Sequence, residues 1–446
     1  MSRASLLCAC FLLPSFAFAQ PTIPLSSPRP SAQTGAGRGT STPAGVQQSP
    51  ASPAGKLITL DEAIQLALAN SPSIKAARTQ IQQSQAQEVT ANLRPNPVLG
   101  GDSQFIPFFN LSQFSQDVEQ YDIGLGYTFE RGGKRHKRLL AARDQTAMTK
   151  SQVADAERTL AFNVAQQFIN ALLANSNLSL AEEDLKSFQQ TVDISEQRYK
   201  AGDISEGDYL KIKLQLLQFQ TDVSSARVAK VQALGSLRQL VGYAGLPRDY
   251  DVTGDLTFQP LKASLEDLEA AALRERPDLR AAEQGITAAR SQITLAKANG
   301  TQDVTLTTNY SHTPGLSSLS WFLSFPLPIF DRNQGEIART RFALTQAELA
   351  EQSAHDTVMT DVINAYESSM TNQDVVQLYT SGYLKQAQDS RDISAYAYKG
   401  GAATLLDFLD AERSYRATQL AYRQALAAYM LSLEQLRQAV GTRSLP

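Results

Sequence analysis

The sequence repeats itself at long range, and this duplication constrains the fold more than any local motif. Tyr398 to Arg413 reads Tyr-Lys-Gly-Gly-Ala-Ala-Thr-Leu-Leu-Asp-Phe-Leu-Asp-Ala-Glu-Arg. Beginning 199 residues earlier, Tyr199 to Leu210 reads Tyr-Lys-Ala-Gly-Asp-Ile-Ser-Glu-Gly-Asp-Tyr-Leu, which sets Gly202 under Gly401, Ser205 under Thr404 and Asp208 under Asp407. Leu436-Arg-Gln-Ala-Val-Gly441 answers Leu237-Arg-Gln-Leu-Val-Gly242, and Arg276-Pro277 answers Ser71-Pro72. One supersecondary unit is therefore built twice, over 57–260 and 261–446, and the length of 446 residues does not translate into a count of independent globular cores.

Two segments precede the repeats. Residues 1–19 run from Met-Ser-Arg through an apolar stretch to Ala17-Phe18-Ala19, the pattern of a secretory signal with a small-residue cleavage site. A membrane anchor is the competing reading, but the run is shorter than the roughly 18 residues that a spanning helix needs and contains Pro14. Both cysteines, Cys8 and Cys10, fall inside this segment, so the mature chain offers no thiol, disulfide or cysteine metal site; lipidation at Cys10 is the alternative. Residues 20–56 are Pro, Ser, Gly, Thr and Gln with almost no large apolar side chain, a flexible leader that cannot offset its ordering entropy by burial.

Within the first repeat, Thr59-Leu60-Asp61-Glu62 reads as a capping box, and Ser71-Pro72 as a restart with Ser71 as cap, giving a helix to about Leu93. Tyr121, Ile123, Leu125, Tyr127 and Phe129 then alternate with small or polar residues, a strand whose partner is Val98 to Pro107. A membrane-crossing strand and a soluble sandwich hairpin fit these two strands equally well. The run Glu130-Arg131-Gly132-Gly133-Lys134-Arg135-His136-Lys137-Arg138 lacks phosphate-loop spacing and reads as a strand-to-helix turn with basic residues near lipid phosphates. From Arg138 to Tyr199 there is neither Pro nor Gly, which predicts one very long helix of about 90 Å at about 1.5 Å per residue. Ser205 to Val241 follows with Ile212, Leu216, Phe219, Val223 and Ala226 at coiled-coil spacing. Together with the helix from Pro72 it matches the long helix in length, so the two shorter helices stack end to end beside it, with the Gly202 turn at one extremity and the strands at the other.

The second repeat retraces this course. Ser264 caps a helix, Val304 to Tyr310 and Leu319 to Phe325 alternate as strands, and Pro326-Leu-Pro-Ile-Phe330 leads into another long helix ending near Tyr398. Four amphipathic strands cannot close a barrel, and open edges are excluded from hydrocarbon, so several chains must pool them; two would give eight strands and three would give twelve. No catalytic signature occurs, and His136, His312 and His355 lie far apart with no metal-ligand spacing. The net charge of −3 gives no reason to expect nucleic acid.

The duplicated plan, Asn96-Pro97 leading into a strand, the Glu130-Arg-Gly-Gly-Lys-Arg135 turn, Pro326-Leu-Pro-Ile-Phe330 and the two glycine turns resemble the TolC-like outer-membrane factors of tripartite efflux systems, over about Leu57 to Gly441. The resemblance implies a mainly α fold with a membrane β-barrel portion: a homotrimer pooling a 12-stranded outer-membrane β-barrel and a long periplasmic α-helical barrel. It implies a passive, non-enzymatic exit duct without cofactor, embedded in outer-membrane lipid and docked to a periplasmic adaptor and an inner-membrane RND-type pump. The Gly-Gly-Lys-Arg turn is most similar to the CzcC-like and CusC-like branch, which implies heavy-metal cations as cargo; drugs, organic solutes or type I secretion substrates are the alternatives. A periplasmic coiled-coil adaptor or scaffold is the alternative of a different class, which the four alternating strands disfavour.

The resemblance maps Asp407 and Asp410 onto the acidic ring of the periplasmic gate, where six carboxylates from three chains would raise one another's pKa. It maps Asp208, Tyr199 and Tyr398 onto positions that lock adjacent helices shut, and Gly202 and Gly401 onto the tips that meet the adaptor. Ala403 departs from the pattern, since relatives carry an arginine in that lock. Without the resemblance, Asp407 and Asp410 read as a solvated acidic face partnered by Arg413.

Overall fold

The computed structural model describes residues 56–104 and 120–445. The signal segment, the leader up to Gly55 and the loop after Gln104 lie outside the described residues. A short strand β1 (Lys56–Ile58) precedes α1 (Leu60–Asn70) and α2 (Pro72–Ala91), then β2 (Val98–Gln104), β3 (Gln120–Phe129), α3 (Lys134–Ala201) and α4 (Glu206–Val241). After β4 (Tyr250–Val252) the order recurs: α5 (Leu265–Glu275), α6 (Pro277–Asn299), β5 (Val304–Thr313), β6 (Leu316–Ser324), α7 (Gln334–Leu378), α8 (Leu384–Lys399) and α9 (Leu405–Val440).

Local chemistry sets most of these boundaries. Thr59, Ser205, Ser264 and Thr404 stand at N-caps with extended backbone, and each side chain accepts the N–H three residues on. The box expected at Thr59 is only half made, because the Glu62 carboxylate turns to Lys56 at 2.8 Å; the reciprocal box forms at Thr404 and Asp407. Ser71 makes no side-chain cap either. It is buried where α1 ends and α2 begins, and its hydroxyl meets that of Ser73 at 2.9 Å.

The 68-residue α3 spans roughly 100 Å. It packs on α2 over one part of its length and on α4 over another, as the lengths predict. Its counterpart differs. Where one helix to near Tyr398 was expected, α7 ends at Leu378 and a π-helical turn, Tyr379–Tyr383, separates it from α8, with Gly382 at φ 145°. A Ser-Gly pair at 381–382 is a recognised place for a helix to kink, and this local signal was overridden by the surrounding helical pattern.

The strands form one antiparallel sheet in the order β2-β3-β5-β6, so the hairpins of the two repeats join through β3 and β5. The register sets Leu99 against Leu125, Leu125 against Thr308, and Thr308 against Trp321. Leu99, Ile123, Leu125, Leu306, Tyr310, Leu319, Trp321 and Leu323 consequently share one face and are all exposed in the single chain. The opposite face is concave and carries Gly124, Gly126, Thr128, Thr305, Thr307 and Asn309, with Val98, Leu316 and Phe322 as its apolar departures. Among the described residues β2 and β6 each have an unpaired edge.

Beneath the sheet, the basic turn is tied into the protein. Lys134 meets Asp303 at 2.7 Å, and Arg138 meets Glu130 at 2.6 Å and donates to the carbonyls of Ala91 and Leu93. These two cations therefore fasten helices to the ends of the strands. The core is strung along the helices in separate clusters, one around Phe168, Leu237 and Tyr250 and another around Leu268, Val358 and Leu436. A third cluster, of Phe188, Ile212, Phe219, Tyr398, Leu405 and Phe408, binds α3 and α4 to α8 and α9 near the glycine turns. The connection after Gly242 also contributes structure, since β4 pairs in parallel with β1, Leu57 opposite Asp251.

Candidate functional site

The two glycine turns are built alike. Gly202 has φ 85°, and the N–H of Asp203 returns to the Arg198 carbonyl at 2.8 Å, closing α3. Gly401 has φ 76°, and the N–H of Ala402 returns to Ala397 at 2.8 Å. A side chain at either glycine would meet open space, so the backbone dihedral alone demands glycine.

The carboxylates next to the turns first act as caps. Asp407 accepts the Thr404 hydroxyl at 2.7 Å and the Thr404 N–H at 3.1 Å, while its own N–H donates to the Thr404 hydroxyl oxygen at 3.2 Å. Asp208 is its equivalent, accepting the Ser205 hydroxyl at 2.9 Å and meeting Lys211 at 3.4 Å. The Thr404 hydroxyl, and then its N–H, holds the Asp407 carboxyl below the ordinary carboxylate range. Within one chain this is opposite in direction to the mutual elevation expected of a paired ring, because both donors favour the charged form. Asp410 shares the exposed face of α9 with Asp407 and pairs with Arg413 at 3.2 Å.

The tyrosines also preserve the duplication. Tyr199 stacks on Tyr209 with centroids 5.1 Å apart, and Tyr398 stacks on Phe408 at 5.4 Å. Their surroundings differ, since Tyr199 is 37% exposed and Tyr398 only 8%. Arg198 joins the two turns, donating to the Tyr398 carbonyl at 3.2 Å with its guanidinium 5.5 Å from the ring centroid. Among the described residues no hydrogen bond brings Asp208 to either Tyr199 or Tyr398.

One charged group was not foreseen. Arg416 of α9 meets Asp184 of α3 at 3.1 Å and Asp222 of α4 at 2.5 Å, with its guanidinium 4.2 Å from the centroid of the Phe219 ring. Glu412, Arg391 and Asp392 lie beside it along a small cavity of about 150 Å³. Burial raises the pKa of Asp184 against the pull of Arg416, and burial likewise raises that of Glu412 against Arg391. The partners stand 232 and 194 residues apart, so no local pattern announces them.

This site has the means to hold helix ends together and to present carboxylates to solvent. Among the described residues no group of three or more His, Cys, Asp or Glu is placed to hold a metal ion. Nor, among them, is any helix long and apolar enough to cross a membrane.

Comparison with known proteins bears on what such an arrangement serves. The family model described as "Outer membrane efflux protein" matches residues 63–243 and 268–442. The cation efflux system protein CusC of Escherichia coli is 25% identical over 367 residues, covering 79% of this chain and 80% of that protein. The cobalt-zinc-cadmium resistance protein CzcC of Cupriavidus metallidurans is 25% identical over 380 residues, covering 82% and 85%. The solved CmeC outer membrane channel of Campylobacter jejuni shares the fold at 16% identity, with a TM-score of 0.72 over 86% of this chain and 85% of that one. With nearly all of both repeats matched, the chain belongs to the outer membrane efflux protein family, whose members are TolC-like channels of the outer membrane.

Proposed function

We propose that three copies of this chain assemble into the exit duct of a tripartite pump, taking substrate from an inner-membrane pump and a periplasmic adaptor, and that the cargo is heavy-metal cations. The observation that carries the assembly is the four-stranded sheet, apolar on one face and mostly small and polar on the other, with both edges unpaired among the described residues. In hydrocarbon such edges require partners, and copies of the same sheet supply them. A second stripe supports the reading. On α4, Leu210, Leu214, Leu217, Val228 and Val231 follow alternating spacings of four and three, with Thr221 and Ser224 in the gap, and all five apolar residues are exposed in the single chain. That is a coiled-coil seam awaiting a helix from a neighbouring copy.

In this reading the Gly202 and Gly401 turns are the tips that meet the adaptor. Asp407 and Asp410 line the narrow end, with Asp208, Tyr199 and Tyr398 among the residues that hold it shut. The metal cargo rests on the names of the relatives CusC and CzcC. A duct conducts without ligating, so the chain's own residues need not form a metal site. Deleting the gene in its host and measuring tolerance to zinc, cobalt, cadmium, copper and silver tests the cargo. Unchanged tolerance to all five would remove metals and leave the duct.

A further inference from the structure

The apolar row on the outer face of the sheet does not stop where the sheet stops. Leu319, Trp321 and Leu323 of β6 are followed, at the same spacing of two, by Phe325, Leu327 and Ile329, and all six are exposed in the single chain. Pairing with β5 ends at Ser324 opposite Thr305, so the last three stand beyond the sheet, on the side where the long helices begin. At ~3.3 Å per residue and a tilt near 40°, Leu319 to Leu323 covers about 10 Å of depth, against an apolar band about 25 Å tall on outer-membrane strands. Carrying the row on through Leu327 doubles that span.

The irregular backbone of this extension leaves few polar groups unpaired. Pro326 and Pro328 have no N–H, and the Ile329 N–H closes on the Leu327 carbonyl at 2.8 Å. The Pro328 carbonyl accepts from Arg332 Nε at 3.1 Å, and that of Phe330 from the Gln334 amide at 3.0 Å. Such a segment suits the edge of hydrocarbon, where unpaired backbone groups are costly. Charge adds a second feature. Arg94 ahead of β2, Arg131 after β3 and Arg332 after β6 are exposed at this same end, and none makes an ion pair among the described residues. The neighbouring carboxylates are engaged: Glu130 by Arg138, Asp303 by Lys134, and Asp331 by the Asn333 N–H at 2.8 Å. A neighbouring copy would bring the same cations to this end, so charge favours lipid phosphate over a second copy as the partner.

We propose that Phe325, Leu327 and Ile329, with Arg94, Arg131 and Arg332, form a phospholipid-binding collar at the periplasmic boundary of the membrane. The apolar side chains enter the acyl boundary, and the guanidiniums hold the headgroup phosphates of anionic phospholipid. This rests on the reading of the sheet as lipid-facing, and Trp321, the one tryptophan in the chain, is the internal reference for that reading.

The test uses full-length protein reconstituted in vesicles of phosphatidylcholine with or without phosphatidylglycerol. Wild-type fluorescence should be quenched by lipid brominated deep in its acyl chains. With Trp321→Phe and Leu327→Trp combined, bromine near the headgroup should quench more than deep bromine or acrylamide in the water. Phosphatidylglycerol should raise the melting temperature of the assembly above its value in phosphatidylcholine alone, high salt should shrink the rise, and combined Arg94→Gln, Arg131→Gln and Arg332→Gln should lose about half of it or more. Unquenched Trp321 overturns the lipid-facing sheet and the collar with it. Quenched Trp321 beside an indole in Leu327→Trp reached only by acrylamide, or by neither quencher, overturns the collar and leaves the duct, since water or a second copy then covers the segment. A rise matched by inorganic phosphate, or kept in the triple variant, likewise overturns the collar. Should the triple variant fail to assemble, Arg94→Gln decides, because that side chain makes no hydrogen bond among the described residues, and an undiminished rise overturns the collar.

Discussion

Arg198 and Tyr398 join the two glycine turns: the guanidinium donates to the Tyr398 carbonyl at 3.2 Å while its carbon stands 5.5 Å from the centroid of the same ring. The contact lies one turn from Gly202 on one side and three residues from Gly401 on the other, so the tips of the two repeats are positioned by each other. The Tyr398 hydroxyl is buried with no hydrogen-bond partner among the described residues. It lines the small cavity with Arg391 and Glu412, and the polar groups of the seam between α3 and the α8–α9 pair are thus continuous with its tip.

Leu323 lies on the apolar face of β6 opposite Leu306 and is 66% exposed in the single chain. Leu323→Arg should lower the yield of assembled protein in the outer-membrane fraction, since an arginine facing lipid near the midplane costs roughly 2–4 kcal/mol. Quantifying heat-modifiable oligomer on gels checks this; wild-type yield would mean that the strand faces the other way.

Gly202→Val and Gly401→Val should each distort a tip without hindering insertion. A Cβ at either position meets no neighbour, so the cost comes chiefly from the left-handed backbone, about 1–2 kcal/mol per residue. The expected outcome is normal oligomer with reduced crosslinking to the adaptor and lost export. Undiminished crosslinking in both variants would detach the turns from docking.

Asp407→Ala and Asp410→Ala should part company. Asp407 caps α9, so its loss should speed amide exchange over residues 404–410, whereas Asp410, paired only with exposed Arg413, should leave exchange unchanged. Combined, they should reduce cation selectivity and block by multivalent cations. The Asp407 carboxyl sits below its ordinary value of 3.8, so its contribution to the cap is complete above that value and is lost as pH falls through the depressed one. Fraying of the α9 start in acid, absent from Asp407→Ala, is the signature. Protection over 404–410, taken relative to the intrinsic exchange rate at each pH, that is the same in acid as at neutral pH would exclude the titration.

Glu412→Gln should tighten the seam. Burial raises the Glu412 carboxyl above its ordinary value of 4.5, with Arg391 opposing and Asp184 adding to the rise. The packed seam therefore holds this proton more firmly than the exposed residue does, and its stability increases as pH falls from neutral toward 4.5. The amide should mimic the protonated form, giving a higher melting temperature near neutral pH and a flatter dependence below it. A lower melting temperature for the variant at neutral pH would show that the charge is held favourably.

Much of the fold was legible because its signals are local. Helix ends follow from Thr404, Ser205 and the left-handed glycines, and strand faces follow from alternation that the register of β3, β5 and β6 preserves. The duplication extended each inference to the other repeat, including the matched stacks of Tyr199 on Tyr209 and Tyr398 on Phe408. It also misled at two points. The equivalence of the repeats hid the break at Gly382, and the equivalence of the tyrosines hid that one is half-exposed and the other buried.

The sequence by itself determined the repeat, the element types and the family, since periodicity, caps and breakers act over a turn or a strand pair. Only the tertiary structure decided that β3 pairs with β5, that Lys134 and Arg138 tie helix to strand, and that Arg416 lies between Asp184 and Asp222. The last of these depends on how four helices lie together: an ionised group finds partners 194 and 232 residues away only after apolar packing has brought their backbones side by side.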